Sequence, residues 1–559
     1  MHDRRPTAIR LLQVAQSGLA PEALAAAEAE IAVQAARRDE QPTVDGHPAA
    51  ARETWERASG WLPSLHYVRG VAQHWLGDHA AARVAAADIE LTAQTVDNGA
   101  WLCVGRTFAV LQDIAMEPSQ DLTSGDPLLR QLASAEADLP ERFSEPFALV
   151  SAHTTIGRCY MALRLYELAL PHFLRASEVI DANPELMRVA RVTMQLNLAE
   201  LHLGWSIELR LLAGHEAATE HEAAAEHEAA TEHEAAALMH ARRAESTPAL
   251  EETSAFRAKG ALMAAFVDNA DEQPQQSVDR IQAAMEALAG RGQRVDRAMA
   301  LMYQARALAR GERLQEALAA GREACDVLPD DAFSTLSAGV LHTRAQLQSR
   351  ISGDDAVLAY GDHLAQVLWR QRQRTLDMAR SLQLLERIRR ERDRIHTLAY
   401  TDGLTGIGNR HAFEDHISAL VARPEDGVTV VIVDVDELKL ANDIHGHEAG
   451  DDILRTIAEV LRALVGPGDV AVRLGGDEFV LVSSALGGQD IEDIAERIGA
   501  EIVLALAGAA SVSVGAAHGR ALDAAGSLLR DADLAMYERK RRRHERSPVA
   551  ADLQALPSG

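Results

Sequence analysis

The chain has 559 residues, which is long enough for several domains with separate hydrophobic cores. It carries 56 lysines and arginines against 83 aspartates and glutamates, so its formal net charge at pH 7 is −27. This charge argues against a nucleic-acid or anionic-membrane binder, which would need a basic face, although a local basic patch stays open. The three cysteines, Cys103, Cys159 and Cys325, are too few and too far apart for a disulfide framework or a metal site. We expect reduced, mostly buried thiols.

The amino-terminal segment does not look like a targeting signal. The stretch after Arg4-Arg5, residues 9–15, is short and interrupted by polar residues, and no run of 18 apolar residues occurs in the sequence. We therefore expect no signal peptide, no membrane insertion and a cytoplasmic location.

Residues 1–353 are rich in Ala, Leu, Glu and Arg with helical periodicity, which predicts an all-α region. Within residues 150–184 the spacing of small and aromatic side chains resembles the tetratricopeptide repeat, a pair of antiparallel helices. The residues concerned are Gly157, Tyr160, Ala169, Phe173 and Ala176, followed by Pro184. Residues 61–90 and 301–329 give weaker examples. We expect a degenerate solenoid that senses or binds an unidentified protein or peptide, and the alternative is an irregular helical bundle.

Residues 215–237 are of low complexity, with His-Glu-Ala-Ala recurring every six residues from His215 through His221, His227 and His233. Six residues rotate an α-helix by about 600°, so successive histidines point about 120° apart. His215 and His233 share a face but lie roughly 27 Å apart along the helix. This geometry opposes a metal site, and the composition predicts a solvated helix.

Residues 354–400 predict a connector helix. Its apolar side chains lie at mixed three- and seven-residue spacings that are typical of a short coiled coil, at Leu382, Leu385, Ile388, Ile395 and Leu398. Arg392 interrupts this seam. The alternative is a single amphipathic helix that packs on its own chain.

Carboxylates follow two predicted strands in the last part of the chain. Residues 428–433 form a continuous apolar run, as expected of a buried central strand, and end in Asp434-Val435-Asp436. Residues 470–474 and 479–482 predict a second and a third strand, with a tight turn at Gly475-Gly476, because glycine tolerates positive φ. Asp477-Glu478 follow this turn.

Two acidic strand ends in one small α/β unit are what a Mg²⁺ site for phosphoryl transfer needs. Mg²⁺ takes one or two carboxylates and completes its octahedron with water and substrate phosphates. The alternative for the Gly-Gly-Asp-Glu run alone is a solvated acidic turn.

These motifs occur in the order found in the diguanylate cyclases, the family named for its GGDEF motif, and residues 398–546 resemble that family. The matching stretches are residues 402–410, 434–439 and 473–479, Asn442-Asp443, Gly446-His447, Gly450-Asp451, Ser513-Val514-Gly515, and residues 532–537 with Lys540. The resemblance implies an α/β domain of the palm or ferredoxin-like type. It also implies a homodimer that joins two GTP molecules into cyclic di-GMP and releases two pyrophosphates.

The resemblance further assigns a role to each matching residue. Asp434, the Val435 carbonyl and Asp477 would bind Mg²⁺, or Mn²⁺ in its place. Glu478 would neighbour the metal or help to deprotonate the ribose 3′-hydroxyl. Asn442 and Asp451 would read the guanine edge, because an acceptor carboxylate facing the N1 and N2 hydrogens excludes adenine. Lys439 and Lys540 would hold the phosphates, with the main chain around Leu438.

Three positions depart from the family pattern. Leu438 replaces a phenylalanine, and His544 replaces an arginine that reaches the triphosphate. The family's product-inhibition motif is Arg-x-x-Asp, and here Asp469 is present while Gly466 stands at the arginine position. We therefore expect that inhibitory site to be absent, unless Arg462 takes the arginine's role.

We predict a diguanylate cyclase regulated by the helical region. The alternative is a catalytically inactive GTP-binding scaffold that acts through its repeats. A cyclic di-GMP phosphodiesterase is not expected, because only residues 547–559, a predicted disordered tail, follow the resemblance.

Overall fold

The computed structural model describes most of the chain, namely residues 5–16, 19–39, 61–116, 127–140, 145–184, 188–213, 220–248, 253–267, 273–288, 294–328, 334–421, 427–466, 468–484, 486, 490–507 and 509–546. Two compact units divide it, Met1–Arg387 and Ile388–Gly559. The predicted tail and His215 lie outside the described residues. Across these described ranges, no helix is long and apolar enough to cross a membrane.

The described residues of the first unit form α-helices. They are α1 (Arg5–Gln16), α2 (Ala20–Asp39), α3 (Leu62–Trp75), α4 (His79–Thr95), α5 (Gly99–Met116), α6 (Pro127–Ala137), α7 (Pro146–Ala162), α8 (Tyr166–Ala182), α9 (Arg188–Ala213), α10 (Glu220–Glu245), α11 (Ser254–Phe266), α12 (Pro274–Ala287), α13 (Arg294–Arg310), α14 (Leu314–Val327) and α15 (Ser334–Ser352). Each helix from α7 to α14 packs on the next one in sequence.

The three segments that predicted helix pairs each form one. Residues 61–90 give α3 and α4, residues 150–184 give α7 and α8, and residues 301–329 give α13 and α14. At the contact between α7 and α8, a Cβ added to Gly157 would lie 2.4 Å from the Phe173 ring, so glycine is what lets these two helices approach. The helical pairs are thus present, while their assignment as tetratricopeptide repeats stays a prediction.

The histidine-rich segment is helical in α10, but the prediction of a solvated helix is wrong for one face. Ala230, Ala237 and Ala241 are buried in the contact with α9 and α11. His233 stacks on Trp205 with ring centroids 4.1 Å apart, and its Nδ1 lies 2.9 Å from Nδ1 of His202. The small alanines between the repeats allow this packing, which the composition did not indicate.

Helix α16 (Ala356–Tyr400) is a single 45-residue helix that begins in the first unit and ends in the second. Its buried residues are Arg372, Thr375, Leu376 and Ala379. Leu376 and Ala379 belong to the core formed with α1 to α9 of the first unit. Part of the helix therefore packs on its own chain, in agreement with the alternative prediction of an amphipathic helix that does so.

After α16, the described part of the second unit contains both helices and strands. They are α17 (Arg410–Val421), β1 (Gly427–Asp436), α18 (Leu438–His445), α19 (His447–Leu464), β2 (Val470–Gly475), β3 (Glu478–Ser483), α20 (Ile491–Ala505), β4 (Ser511–Arg520) and α21 (Leu529–Arg546). The sheet order is β2-β3-β1-β4 and every neighbouring pair is antiparallel. This order and connectivity follow the βαββαβ pattern of the ferredoxin-like fold.

Both faces of the sheet are covered. On one face, Val431 and Val433 of β1 pack with apolar residues of α19 and α20. On the other, Val430 and Ile432 pack with residues of α17 and α21. The continuous apolar run of β1 is explained by this double burial, because a strand covered on both sides needs no polar alternation.

The predicted turn between β2 and β3 is displaced by one residue. Gly475 pairs with Glu478 at the end of the ladder, and the two residues between them are Gly476 and Asp477. Gly476 has a φ of 57°, and an irregularity at residues 473–475 accommodates the extra residue of β2. Asp477 therefore stands in the turn itself, and Glu478 begins β3.

Helix α21 packs against β4 at Gly515, and this contact generates a test. A Cβ at Gly515 would lie 2.1 Å from the Ala532 carbonyl oxygen and 2.3 Å from the Met536 nitrogen, and backbone atoms cannot rotate away. We expect Gly515→Ala to destabilise the second unit by about 3 kcal/mol, measured by calorimetry of the full chain.

The matched control is Gly499→Ala, whose added Cβ would meet only the Val514 side chain at 3.4 Å. Equal unfolding temperatures for the two variants would show that α21 does not need the glycine.

Candidate active site

A buried carboxylate stands near the end of the central strand. Asp434 is 7% exposed and lies third from last in β1, where its cross-strand partner is Glu478 of β3. The Lys540 ammonium of α21 donates a hydrogen bond to Asp434 Oδ1. Strand β1 and helix α21 thus bring two oppositely charged side chains together from positions 106 residues apart.

The charges around Asp434 shift its proton affinity and that of Lys540. Burial raises the pKa of Asp434, the Lys540 ammonium opposes this shift, and Asp477 and Asp436 add to it. Burial alone would lower the pKa of Lys540, but Asp434, Asp436 and Asp477 outweigh it and raise that pKa. The negative charges of three carboxylates therefore stabilise the protonated form of Lys540.

The hairpin tip is tied to the end of β1 through the main chain. The Val435 amide donates a hydrogen bond to the Asp477 carbonyl oxygen over 3.2 Å. Asp477 is half-buried, and Glu478 is exposed. The next carboxylate, Asp436, is held differently, because it accepts hydrogen bonds from Ser511 and Ser513 of β4.

Arg473 braces the turn. Its Nε and one Nη donate to the Gly476 carbonyl oxygen over 2.9 and 2.6 Å, and its other Nη contacts Asp402 Oδ1 at 3.3 Å. Burial alone would raise the pKa of Asp402, but hydrogen bonds from Thr405 and the Arg473 charge lower it. Asn409 in turn donates to the Ala399 carbonyl at the end of α16. The stretch of residues 402–409 thus links the end of α16 to the hairpin.

A second group of polar residues follows β1 on α18 and α19. Glu437, the residue between β1 and α18, has left-handed dihedrals, with φ 56° and ψ 30°. The first amides of α18, at Leu438 and Lys439, come directly after it, and free amides at a helix start favour anions. Lys439 is exposed, and Leu438 packs on the core under α19.

Asn442 lies against the start of α19. A Cβ on Gly450 would be 1.9 Å from Asn442 Oδ1, so glycine at this position leaves room for the amide. Asn442 Oδ1 is buried, and no hydrogen-bond donor reaches it. Asp451 follows Gly450 and has a distant ion pair of 3.9 Å with Arg455. The two residues predicted to read guanine therefore lie near each other, and their side-chain oxygens can still accept hydrogen bonds from a ligand.

The donors at the strand ends fit a hard divalent cation in their chemistry. They are carboxylate oxygens and a main-chain carbonyl, the ligands that Mg²⁺ prefers. The Lys540 ammonium already places positive charge beside Asp434, which shows that this position favours a cation. Among the described residues, no group of three or more His, Cys, Asp or Glu side chains is arranged to hold a metal by itself. Any bound ion would therefore need further oxygens from its substrate and from water.

The residues around the expected inhibitory site have structural partners. Asp469 accepts hydrogen bonds from the Gly466 amide and from both Ser483 and Ser484. Arg462 donates to the Thr405 carbonyl over 2.9 Å. Arg462 is therefore engaged within the domain, against the suggestion that it replaces the missing arginine.

The sequence singled out the acidic and amide residues of this region but assigned no role to three groups that hold it in shape. These are Arg473, the Asp402 carboxylate and the serine pair that binds Asp436. A signal for the first was present, since Arg473 lies only two residues before Gly475. The side chain of His544 lies outside the described residues.

Comparison with known proteins identifies the domain that contains this region. The family described as "Diguanylate cyclase, GGDEF domain" matches residues 399–546. This stretch of the chain is a GGDEF domain. The five residues of the GGDEF motif, Gly475 to Phe479, lie at the turn of the β2–β3 hairpin. The helical region lies outside the match.

Curated relatives differ in the activity that their names carry. Diguanylate cyclase DgcP of Escherichia coli (strain K12) is 33% identical over 179 residues, which are 30% of this chain and 52% of that protein. Cyclic di-GMP phosphodiesterase PdeR of the same organism is 35% identical over 162 residues, 27% of this chain and 24% of that protein. The chain thus spans about half or less of these relatives.

A solved structure is also similar. It contains the coiled coil and GGDEF domain of DgcB from Caulobacter crescentus in complex with c-di-GMP, with 29% identity. The match covers 30% of this chain and 93% of that chain, with a TM-score of 0.27.

The brace formed by Arg473 generates a test of the GGDEF hairpin. Lysine cannot donate in two directions with a planar fork, so Arg473→Lys should loosen the turn. We expect amide exchange at residues 476–478 to become faster by an amount corresponding to about 1–2 kcal/mol. Arg520→Lys is the control, because Arg520 has a surface ion pair with Asp523 and lies at the far end of β4. Unchanged exchange in Arg473→Lys would contradict the brace.

Proposed function

We propose that the protein is a diguanylate cyclase, which condenses two GTP molecules into cyclic di-GMP with release of two pyrophosphates. This proposal rests on the buried Asp434 beside the Asp477 hairpin. The Lys540 ammonium is bonded to Asp434 and is also attracted by the charge of Asp477. A GTP triphosphate with its metal brings negative and positive charge to a site of this kind, and phosphoryl transfer depends mainly on positioning and charge neutralisation.

A divalent metal, Mg²⁺ or Mn²⁺, would be held by Asp434, Asp477 and the Val435 carbonyl. When bound, it would polarise the phosphate oxygens and neutralise charge that develops during transfer. Lys540 pairs with Asp434 in the structure. Its ammonium would become available to a phosphate if a metal ion neutralised that carboxylate. Glu478 is exposed beside Asp434 in the sheet, where it can accept the proton of a 3′-hydroxyl.

The nucleotide would be positioned by α18 and α19. Phosphates fit the start of α18, where the left-handed Glu437 turns the chain and Lys439 adds a positive charge. The base fits beside Asn442 and Asp451, because guanine offers N–H groups to acceptor oxygens and adenine offers a different pattern. The unpartnered Asn442 Oδ1 supports this assignment.

The second candidate is a GTP-binding scaffold without turnover. The similarity to PdeR favours keeping it, because a protein named for the opposite reaction is 35% identical to this chain over 162 residues. The cyclase is preferred because every predicted metal, guanine and catalytic side chain is present in this chain, at Asp434, Asp477, Glu478, Lys439, Asn442 and Asp451.

The proposed reaction needs two domains, so we propose a homodimer regulated by the first unit. The seam residues Leu385, Ile388, Ile395 and Leu398 of α16 are between 56% and 72% exposed. Exposed apolar side chains at near-heptad spacing are typical of a helix that pairs with a second copy. A protein or peptide bound by the helical unit would regulate the enzyme by changing this pairing.

Product inhibition through the Arg-x-x-Asp site is not part of the proposal. Gly466 has no guanidinium to grip phosphate, Asp469 is saturated by Ser483 and Ser484, and Arg462 binds Thr405. Control would therefore fall to the helical unit.

The proposed metal role gives the first test of the reaction. Asp477→Ala removes a carboxylate but keeps the carbonyl that Val435 binds, so the hairpin should survive. With GTP and Mg²⁺, we expect cyclic di-GMP formation to fall by roughly 100-fold or more. The control Asp452→Ala removes an exposed carboxylate of α19 that pairs with Arg455. A folded Asp477→Ala protein with full activity would refute the mechanism, and a wild type without product would favour the scaffold.

The seam gives a second test. Ile395→Asp would place a charge from each copy in the seam of the proposed dimer. It should raise the dimer dissociation constant by at least about tenfold, measured by sedimentation. Its specific activity should then rise with protein concentration. Arg394→Asp places the same side chain on the adjacent exposed position, off the seam, and should retain the dimer. A wild-type monomer with constant specific activity would contradict the proposed dimer.

A further inference from the structure

A cavity of about 470 Å³ lies in the first unit. Residues of α3, α5, α7, α9, α11 and α13 form its wall, and the ends of α1 and α2 where these two helices meet also contribute. Small-molecule sites in proteins have volumes of about 300–1,000 Å³. The cavity is therefore large enough for a whole ligand.

Four aromatic side chains line this cavity, namely Tyr67 and Trp75 of α3, Phe108 of α5 and Phe256 of α11. Tyr67 and Phe108 pack edge to face with ring centroids 5.7 Å apart, and burial raises the pKa of the Tyr67 phenol, which is uncharged at pH 7. Trp75 is 40% exposed, so its ring stays accessible. Because aromatic rings favour offset-stacked or edge-to-face contacts with other rings, this wall suits an aromatic body.

A row of alternating charges crosses the wall from helix to helix. Arg158 of α7 pairs with Glu200 of α9 at 2.9 Å. Lys259 of α11 pairs with the same carboxylate at 2.9 Å and with Asp296 of α13 at 3.4 Å. All four side chains line the cavity and remain between 13% and 23% exposed. A ligand in the cavity can therefore contact charges of both signs.

The charges of this row sum to zero. Burial alone would raise the pKa of Glu200, but the Lys259 and Arg158 charges lower it to about 2. Burial alone would lower the pKa of Lys259, but the Glu200 and Asp296 charges raise it. His74 also lines the cavity, and burial lowers its pKa to about 4, so its imidazole is neutral at pH 7. The charged part of the lining therefore consists of two cations and two anions.

The wall also offers an uncharged polar group. Asn197 lies three residues before Glu200 on α9, on the same face of that helix, and lines the cavity. Within the part of the chain that the structure describes, the Asn197 amide has no hydrogen-bond partner. A primary amide supplies both donors and an acceptor, so it can bind either end of a polar ligand.

This combination selects the chemistry of the occupant. A molecule with a single charge would upset the balance, and a purely apolar molecule would take water from four charges without replacing it. We propose that the cavity binds a small zwitterion with an aromatic body, whose ammonium lies beside the anions of the row and whose carboxylate lies beside its cations. Aromatic amino acids and short peptides that contain one share this chemistry. The inference does not depend on the proposed cyclase activity, because every lining residue belongs to the first unit.

The experiment titrates the full chain with L-tryptophan in a calorimeter. We expect saturable binding with a dissociation constant on the order of 1 mM. Tryptophanamide lacks the carboxylate, N-acetyltryptophan lacks the ammonium and N-acetyltryptophanamide lacks both, while all three keep the indole ring. Each should bind at least about tenfold more weakly, because charges of the row stay without a partner in the ligand. Absence of saturable tryptophan binding, or equal affinity for all four compounds, would overturn the assignment.

The dipeptide alanyl-tryptophan separates the two sources of this chemistry, because it carries the same two charges on a longer backbone. Tighter binding of the dipeptide than of tryptophan would identify a short peptide as the ligand. Weaker binding would identify a free amino acid.

A charge variant tests the row itself. Asp296→Asn leaves Lys259 paired with Glu200 but gives the wall a net positive charge. N-acetyltryptophan should then bind at least about tenfold more tightly than it binds the wild type, and tryptophan more weakly. A variant that failed to fold could not gain affinity in this way.

The matched control is Asp279→Asn, which removes an exposed carboxylate of α12 that is bonded to Gln275 and lies outside the cavity lining. It should bind all four compounds as the wild type does. An unchanged preference in Asp296→Asn would overturn the proposal, and so would the same reversed preference in Asp279→Asn.

Discussion

The second unit depends on the charge balance at Asp434. A carboxylate at the end of a strand that is covered on both faces is unfavourable unless a cation lies beside it. Lys540 provides that cation, and it can do so because Gly515 allows α21 to approach β4 at backbone distance. The sheet, the glycine and the lysine therefore form one arrangement, and an ion bound with GTP would act on the same balance.

The hairpin that carries Asp477 is held from outside its own strands. Arg473 binds the Gly476 carbonyl and reaches Asp402, and Asn409 binds the main chain at the end of α16. These contacts join the end of the connector helix to the turn that carries Asp477, the proposed metal ligand. A displacement of the helix end would move the residues that are bonded to the Gly476 carbonyl. This gives a physical route by which the connector can influence the proposed chemistry.

The first unit uses small residues and paired charges to pack its helices. Gly157 allows the Phe173 ring to approach α7. The small alanines of α10 likewise allow that helix to pack closely on α9. Its most deeply buried charges, Arg372 and Glu208, neutralise each other where α16 docks. Other charged pairs also join helices of this unit, such as Lys259 of α11 with Glu200 of α9 and Asp296 of α13.

The sequence by itself determined the local elements and the chemistry they carry. The apolar run before Asp434, the paired glycines before Asp477 and the helical periodicity of the first unit each depend on neighbours within a few residues, so the chain order reveals them. The tertiary structure decided which residue occupies the turn, because the irregular pairing at residues 473–475 depends on the match of two strands. It also decided that His233 packs on Trp205, that Arg462 is engaged by Thr405 and that Lys540 meets Asp434. Contacts between residues far apart in the chain follow from how whole elements pack, and no local pattern encodes them.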